Sequence, residues 1–193
     1  MKYLVVGLGN PTQEYLGTRH NIGFRMANHL AQDLQLTFTE DRYGAIAMGR
    51  IKNKEICLLK PSTFMNLSGN AVRYWLQQLH TDTSHLLILV DELVFNLGVL
   101  KLKSSGSHGG HNGLRHISEV LKTDVYARLR CGIGNNFPRG KQIEYVLGKF
   151  TSEEEALMPY ILERSTSIIK DFCLCGIQHA MTSYNNKSLL PNE

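Results

Sequence analysis

His20 and Asp91 are the two residues whose types and positions could support proton transfer near neutral pH. Histidine ordinarily titrates close to neutrality, and an adjacent carboxylate favours its charged form. His20 stands just before a predicted helix, and Asp91 ends an apolar run typical of a buried strand. A single loop histidine is more often structural than catalytic. If the strands preceding these residues are neighbours, however, their carboxyl ends bring Asp91 to His20, at the edge where open α/β sheets bind ligands.

The glycines after the first predicted strand invite comparison with a dinucleotide-binding loop. That fingerprint is G-x-G-x-x-G opening a helix, but Thr12 takes the place of the third glycine after Gly7 and Gly9. Pro11 also disfavours helix in the residue before it. The glycines alone suit a tight turn, yet the loop over residues 9–20 is long, and loops of that length are often functional.

His108 and His111 are spaced like two ligands of a metal site, but glycines flank them and no further ligand follows at a fitting spacing. A metal is therefore the minor alternative, and we expect neither a metal nor another cofactor. The four cysteines are too few and too irregularly spaced for a disulfide framework or zinc knuckles. We expect reduced thiols, with Cys173 and Cys175 both packed in a helical core.

Residues 63–69 place an aromatic ring, a thioether and an amide on a predicted turn. One interpretation is purely structural: Phe64 and Met65 would close the edge of the sheet. The other is that these side chains line a binding cleft. The residues alone leave both interpretations open.

Positive charge is concentrated in one part of the chain. The whole sequence has 21 basic and 17 acidic residues, a formal charge of +4. Residues 101–141 contain eight basic and two acidic residues, a net +6. Within them, Arg128 and Arg130 alternate with apolar neighbours, which predicts a half-buried strand with a basic face. This distribution permits an anionic partner without requiring one.

The apolar pattern predicts alternating strands and helices. A continuous apolar run at 2–8 predicts a strand buried on both faces. Four-residue spacing after Asn21, a plausible N-cap, predicts an amphipathic helix reaching Leu34. The other predicted elements are a hairpin of strands 43–51 and 55–60 around a turn at Asn53-Lys54, a break at 61–69, helices at 71–79 and 114–121, and strands at 86–90, 100–103 and 127–133.

The end of the chain has a helical pattern. Thr151 and Glu154 have the spacing of a capping box, and we expect helix to about residue 184 with a bend near Pro159. Together the elements predict an α/β fold, a single domain over residues 1–193. Its mixed, largely parallel twisted sheet should be flanked by helices on both faces, with a helical C-terminus.

The longest apolar run is five residues, against roughly 20 for a membrane span, and we find no signal-peptide pattern. We expect a cytoplasmic protein without membrane contact.

Six segments of the sequence match known motifs in the same order and at the same spacing. They are Val6-Gly7-Leu8-Gly9-Asn10-Pro11, Tyr15-x3-Arg19-His20-Asn21-x-Gly23, Lys60-Pro61-Ser62-Thr63-Phe64-Met65-Asn66-x-Ser68-Gly69, Asp91-Glu92-Leu93, Gly106-x-His108-Gly109-Gly110-His111-Asn112-Gly113 and Arg128-Leu129-Arg130-x-Gly132-Ile133-Gly134. No single motif is decisive, but the six together are. Over almost its full length the chain resembles the bacterial peptidyl-tRNA hydrolases.

The resemblance implies an activity: hydrolysis of the ester joining a peptide to the terminal ribose of tRNA, which frees tRNA from aborted translation. It implies that His20 is the general base, that Asp91 holds its ring, and that Asn10 belongs to the catalytic set. It implies no serine or cysteine nucleophile and no metal. The substrate-binding residues that it implies are Tyr15, Phe64, Met65, Asn66, His111 and Asn112.

For the tRNA, the resemblance implies that Lys103 and Arg130 hold a phosphate of the acceptor stem. Lys101 and Arg128 could add to the positive field, which gives affinity without reading sequence. The implied partner is peptidyl-tRNA alone, with no obligate protein partner, and we expect a monomer. One departure from the family pattern is visible: residues 94–97 replace the usual aspartate and proline turn, which leaves the shape of this cleft wall open.

Two other classes of function remain as alternatives. A non-enzymatic RNA-binding α/β module would keep the basic strands but would not need His20 beside Asp91. A nucleotide-dependent oxidoreductase would need the third glycine that Thr12 replaces. The six motifs favour the hydrolase over both.

Overall fold

A seven-stranded mixed sheet forms the centre of the molecule. The computed structural model describes residues 1–187. Its strands are β1 (Lys2–Gly7), β2 (Thr39–Asp41), β3 (Gly44–Ile51), β4 (Lys54–Pro61), β5 (Leu86–Glu92), β6 (Leu100–Lys103) and β7 (Ala127–Gly132). They lie in the order β2-β3-β4-β1-β5-β7-β6. The central strands β4, β1, β5 and β7 are parallel, and the flanking strands pair antiparallel. The predicted mixed sheet is confirmed.

Helices cover both faces of the sheet, as predicted. They are α1 (Ile22–Asp33), α2 (Ser68–Gln78), α3 (Asn112–Leu121), α4 (Gln142–Leu147), α5 (Ser152–Glu155), α6 (Met158–Cys175) and α7 (Ile177–Tyr184). One apolar core lies beneath α1 and α6, and a second lies beneath α2 and α3. None of these helices is both long enough and apolar enough to cross a membrane.

Strands β1 and β5 have apolar side chains on both faces because they separate these two cores. Val5 and Leu89 lie in the core beneath α1, whereas Val6 and Ile88 lie in the core beneath α2. All four side chains are fully buried. Successive strand residues point to opposite faces, so a strand buried on both sides needs an unbroken apolar run. The runs that predicted these strands thus reflect their central position.

The location of the candidate site follows from the pairing of β1 with β5. The two strands are parallel, with Gly7 opposite Leu89, so their carboxyl ends lie side by side. Helix α1 packs closely over this end: a Cβ atom on Gly7 would lie 2.3 Å from the carbonyl oxygen of Gly23. Only glycine permits that approach. The strands that precede His20 and Asp91 are therefore neighbours, which was the condition for Asp91 to lie beside His20.

Several local predictions need correction. The hairpin turn is Lys52-Asn53 rather than Asn53-Lys54, because Ile51 pairs directly with Lys54. Asn21 precedes α1 but makes no side-chain cap, since its amide is bonded to the backbone of Asn10 instead. Neither β2 nor α4 was predicted. Both are short, with three and six residues, too short for a clear apolar period.

The C-terminal region is three helices rather than one bent helix. The Thr151 capping box is confirmed and begins α5. Pro159 lies in the first turn of α6, where its missing N–H costs nothing, so it begins a helix rather than bending one. Gly176, with φ 86°, separates α6 from α7. Cys173 is buried as predicted, but Cys175 is exposed because residues two apart lie on different helix faces.

Candidate active site

Three side chains meet at the carboxyl ends of β1 and β5. His20 lies on a short 3-10 helix before α1, Asp91 lies near the end of β5, and His111 immediately precedes α3. The Nδ1 atom of His20 is 3.0 Å from both carboxylate oxygens of Asp91. The Nε2 atom of His111 is 3.0 Å from Oδ1 of the same carboxylate. The structure therefore brings together the predicted pair and adds His111 to it.

Hydrogen-bond partners distinguish the two histidines. An ionised carboxylate only accepts hydrogen bonds, so both imidazoles donate an N–H to Asp91. The other ring nitrogen of His111, Nδ1, accepts from the backbone N–H groups of Gly113 and Leu114 and caps α3. The other ring nitrogen of His20, Nε2, has no such partner among residues 1–187. His20 therefore keeps a lone pair available for a proton, whereas that of His111 is occupied.

Burial and charge compete at this cluster. Burial alone would raise the pKa of the Asp91 carboxyl, but the two imidazoles bonded to it outweigh burial and hold that pKa well below its usual range. Burial alone would lower the pKa of His20, but the charge and hydrogen bonds of Asp91 outweigh burial and raise it above 6.5. Asp91 thus remains a carboxylate and makes His20 a stronger base.

Asn10 is held rigidly beside this cluster. Its backbone N–H donates to Oδ1 of Asn21 and its carbonyl accepts from Nδ2 of Asn21, both at 2.9 Å. Its side-chain Oδ1 accepts from the backbone N–H of Met65 at 2.9 Å. These bonds fix which end of the Asn10 amide is oxygen. In the described part of the chain its Nδ2 group makes no hydrogen bond, so it remains a donor for a bound molecule.

A cleft of about 380 Å³ opens over the two histidines. Its floor contains His20, Asp91 and His111, and Asn112 lies on its wall. Val94 also lines the cleft, in the segment that the sequence placed on its wall, but the sequence assigned no substrate role to the remaining lining residues. Those residues are Glu92, Leu93, His108, Gly109, Gly110, Leu114, Asn135, Phe137, Gln142, Ile143 and Val146. The group from 135 to 146 comes from α4 and the loop before it, where the sequence shows no strong period.

The other predicted substrate residues lie beside Asn10 rather than in this cleft. Phe64, which is half exposed, precedes a short 3-10 turn whose backbone bonds Asn10, and Asn66, which is exposed, lies within that turn. Met65 is buried, with its sulfur close to Gly113. Tyr15 ends a separate 3-10 turn in the loop before His20. Among these residues, the Met65 backbone provides the bond to Asn10, and Phe64 and Asn66 are its neighbours in the chain.

The strands β6 and β7 carry the predicted basic side chains, but not all as expected. Lys103 is exposed. Arg128 is wrongly predicted as a surface residue: it is fully buried, and its guanidinium donates to the carbonyls of Gly106 and Asp124 at 2.6 and 2.8 Å. Arg130 bonds Glu92 at 2.6 Å and the carbonyl of Ser107 at 2.7 Å. The glycine-rich loop, residues 104–111 between β6 and α3, folds over this face, so alternation alone did not reveal the burial.

Arg19, beside the histidine, belongs to one of the matched motifs, but the sequence assigned it no role. Its buried guanidinium bonds Glu154 at 2.6 Å and the carbonyl of Lys149, and it stacks over the ring of Tyr145 at 4.4 Å. Its backbone N–H donates to Gly148 at 2.9 Å. These contacts tie the turn that carries His20 to the segment around α4. The sequence signal that could have been followed is its position in the long loop, directly before the candidate base.

The potential metal-ligand atoms of His20, Asp91 and His111 lie within 4.8 Å of one another, close enough to coordinate one metal ion. In the structure these atoms are already joined by hydrogen bonds. A metal here would displace both imidazole protons facing Asp91. The geometry therefore corresponds to a hydrogen-bonded histidine–carboxylate cluster.

The fold and the site together define a class of protein. It is an α/β protein with an aspartate-oriented histidine at the carboxyl ends of two central parallel strands, beneath an open cleft. The family model for peptidyl-tRNA hydrolase matches residues 4–192. The chain belongs to the peptidyl-tRNA hydrolase family.

Individual relatives agree with this assignment. The chain is 60% identical over 187 residues to a peptidyl-tRNA hydrolase of Parabacteroides distasonis, covering 97% of this chain and all of that protein. It is 56% identical to that of Porphyromonas gingivalis, over 96% of this chain and all of that protein. The crystal structure of peptidyl-tRNA hydrolase from Acinetobacter baumannii is similar with a TM-score of 0.91 and 37% identity, covering 97% of this chain and 96% of that one.

Proposed function

We propose that this protein hydrolyses the ester bond between peptide and tRNA in peptidyl-tRNA, with His20 as the general base. One observation carries the assignment of the base. Two imidazoles share Asp91, but only His20 keeps a ring nitrogen free of protein partners among the described residues. The relatives named above are peptidyl-tRNA hydrolases, which supports this substrate.

The chemistry follows from the positions of these groups. Nε2 of His20 takes a proton from water as that water attacks the ester carbonyl, and the imidazolium returns the proton to the ribose oxygen as the ester C–O bond breaks. The negative charge of Asp91 stabilises the imidazolium that forms, which is the same effect that raises the pKa of His20. The free Nδ2 group of Asn10 can donate to the oxyanion that develops on the carbonyl. We assign contacts with peptide and terminal nucleotide to Tyr15, Phe64, Met65, Asn66, His111 and Asn112.

For the tRNA, we assign phosphate binding to Lys103 and Arg130, which lie on one face of the antiparallel pair β6–β7. Lys103 is free to bind directly. Arg130 is already paired with Glu92, so an entering phosphate must compete with that carboxylate. Such contacts add affinity without base specificity. We also propose that the protein works as a cytoplasmic monomer without a metal cofactor or an obligate protein partner.

The test is release of N-acetyl-aminoacid from N-acetyl-aminoacyl-tRNA by the purified protein in the presence of a chelator. The proposal predicts turnover that the chelator does not change. His20→Ala, prepared in parallel, should bind the same tRNA and not turn it over. Binding without cleavage by the wild-type protein would instead favour a non-enzymatic RNA-binding module. Loss of cleavage on chelation would overturn metal independence.

A further inference from the structure

A second cluster of ligand-type side chains lies at the junction of α6 and α7, outside the proposed active site. It consists of Asp171, Cys175 and His179, whose carboxylate, thiol and imidazole atoms all lie within 4.8 Å of one another. Nδ1 of His179 is 2.8 Å from Oδ2 of Asp171. Asp171 is partly exposed, and Cys175 and His179 are exposed. The cluster is therefore open to solvent and to a dissolved ion.

The local fold explains why these three residues meet. Asp171 and Cys175 are four residues apart in the last turn of α6, so they share one helix face. Gly176, with φ 86°, then ends α6 and turns the chain into α7. That turn brings His179 within hydrogen-bond distance of Asp171. Cys175 is also the one exposed thiol of the four, since Cys57, Cys131 and Cys173 are buried.

We propose that Asp171, Cys175 and His179 form a zinc-binding site. Thiolate, imidazole and carboxylate are the three ligand types that Zn²⁺ takes in proteins, and water would complete a tetrahedron. Bonds of about 2.0–2.3 Å place tetrahedral ligand atoms about 3.3–3.8 Å apart. The exposed side chains reach that spacing by small torsional changes, in which the bond between His179 and Asp171 opens.

Charge and proton balance are compatible with a divalent ion. The ion replaces the proton of the Cys175 thiol, which leaves to solvent as the Zn–S bond forms. The resulting thiolate and the Asp171 carboxylate supply two negative charges. They neutralise the ion despite Lys52, the basic side chain close enough to affect this thiol.

A metal at this junction would act on the strand that carries Lys103. The side chain of Asn185, just after α7, bonds both the N–H and the carbonyl of Leu102 at 2.9 Å and so covers the edge strand β6. Zinc would join α7 to α6 and hold that cover in place. It would stabilise the fold without entering the ester chemistry, so this inference does not depend on the proposed function.

Cobalt binding to the reduced full chain tests the site. Co²⁺ substitutes for zinc and gives a near-ultraviolet charge-transfer band only when a thiolate is bound to it. We expect this band in the wild-type protein, its loss in Cys175→Ser, and its weakening in His179→Gln. Competition against a chromogenic chelator should show zinc affinity falling at least about tenfold in either variant, as expected when a ligand is removed.

Two controls separate this site from other metal binding. His80→Asn changes an exposed histidine elsewhere and should leave the cobalt band and the zinc affinity unchanged. Zinc should raise the melting temperature of the wild-type protein and not that of Cys175→Ser, while ester cleavage stays the same in both. The proposal is wrong if the wild-type protein gives no thiolate band, or if Cys175→Ser retains wild-type zinc affinity.

Discussion

The Asp91 cluster and the basic face of β6 and β7 differ in how their charged side chains are bonded. At Asp91, two imidazoles donate to one buried carboxylate, and one lone pair, on His20, is left over. On the basic face, Arg128 and Arg130 are engaged by backbone carbonyls and by Glu92, and Lys103 is the exposed cation. The side chains of the Asp91 cluster are therefore held in position before substrate binds. On the basic face, most of the positive charge is bonded to other groups of the protein.

Because of this difference, the positive side chains of the basic face have different roles. The buried guanidinium of Arg128 holds the glycine-rich loop that ends at His111, so its charge serves the fold. Lys103 makes no such contact among the described residues and is available to a phosphate. Rate, stability and salt dependence should therefore respond to different substitutions.

Removing the base should have the largest effect. His20→Ala should lower kcat by about a hundred- to ten-thousandfold, the usual contribution of a general base. Single-turnover cleavage of peptidyl-tRNA measures the loss, and a tRNA-binding assay should show nearly unchanged affinity. His80→Ala, at an exposed position, serves as the control and should keep full activity. Activity within tenfold of wild type in His20→Ala would exclude His20 as the base.

Removing the charge behind the base should cost less. Asp91→Asn leaves His20 in place but takes away a hydrogen bond between charged groups, worth about 1.5–3 kcal/mol. We therefore expect kcat/KM to fall about ten- to a hundredfold. Steady-state kinetics at one pH near 8 gives this ratio. A loss as large as that of His20→Ala, at unchanged stability, would give Asp91 a more direct role than orientation.

On the basic face, Arg128→Met should act on stability. The substitution leaves the carbonyls of Gly106 and Asp124 without their buried donor, and we expect the free energy of unfolding to fall by about 1–3 kcal/mol. Urea denaturation measures the change. Lys103→Met is the matched control and should stay within about 0.5 kcal/mol of wild type. Equal stabilities of the two variants would contradict a structural role for Arg128.

Lys103→Ala should have the smallest effect, confined to tRNA binding. If Lys103 contacts one phosphate, the slope of log KM against log salt should decrease by about one for full-length peptidyl-tRNA. A minimal ester substrate carrying only the terminal adenosine should be cleaved at the wild-type rate. An unchanged salt slope would place the tRNA elsewhere, and an equal loss on both substrates would place Lys103 in the cleavage site.

The predictability of the fold follows the strength of local signals. Strands β1 and β5 were predicted because their position between two cores demands unbroken apolar runs. Helix α4 was missed because it is six residues long and none of its residues is buried. Pro159 was expected to bend a helix and instead begins one, since a proline marks a helix boundary without saying on which side the helix lies.

The predictability of the site follows a similar rule. His20 and Asp91 were paired because parallel strands bring their carboxyl ends together, which is a property of topology. The capping role of His111 and the burial of Arg128 depend on how the glycine-rich loop folds over the sheet. No local pattern encodes such a contact. Cys175 was misplaced because it and Cys173 were both assigned to the core, although residues two apart in a helix point to different faces.

The pH dependence of kcat/KM tests the central claim most directly, that Asp91 orients His20 and makes it a stronger base. The base must be neutral to accept a proton, and Asp91 raises its pKa, so activity of the wild-type protein should rise with pH through a midpoint above 6.5. In Asp91→Asn, burial is no longer outweighed by the carboxylate, so the midpoint should move below 6.5. A midpoint that stays in place when Asp91 loses its charge would contradict the account.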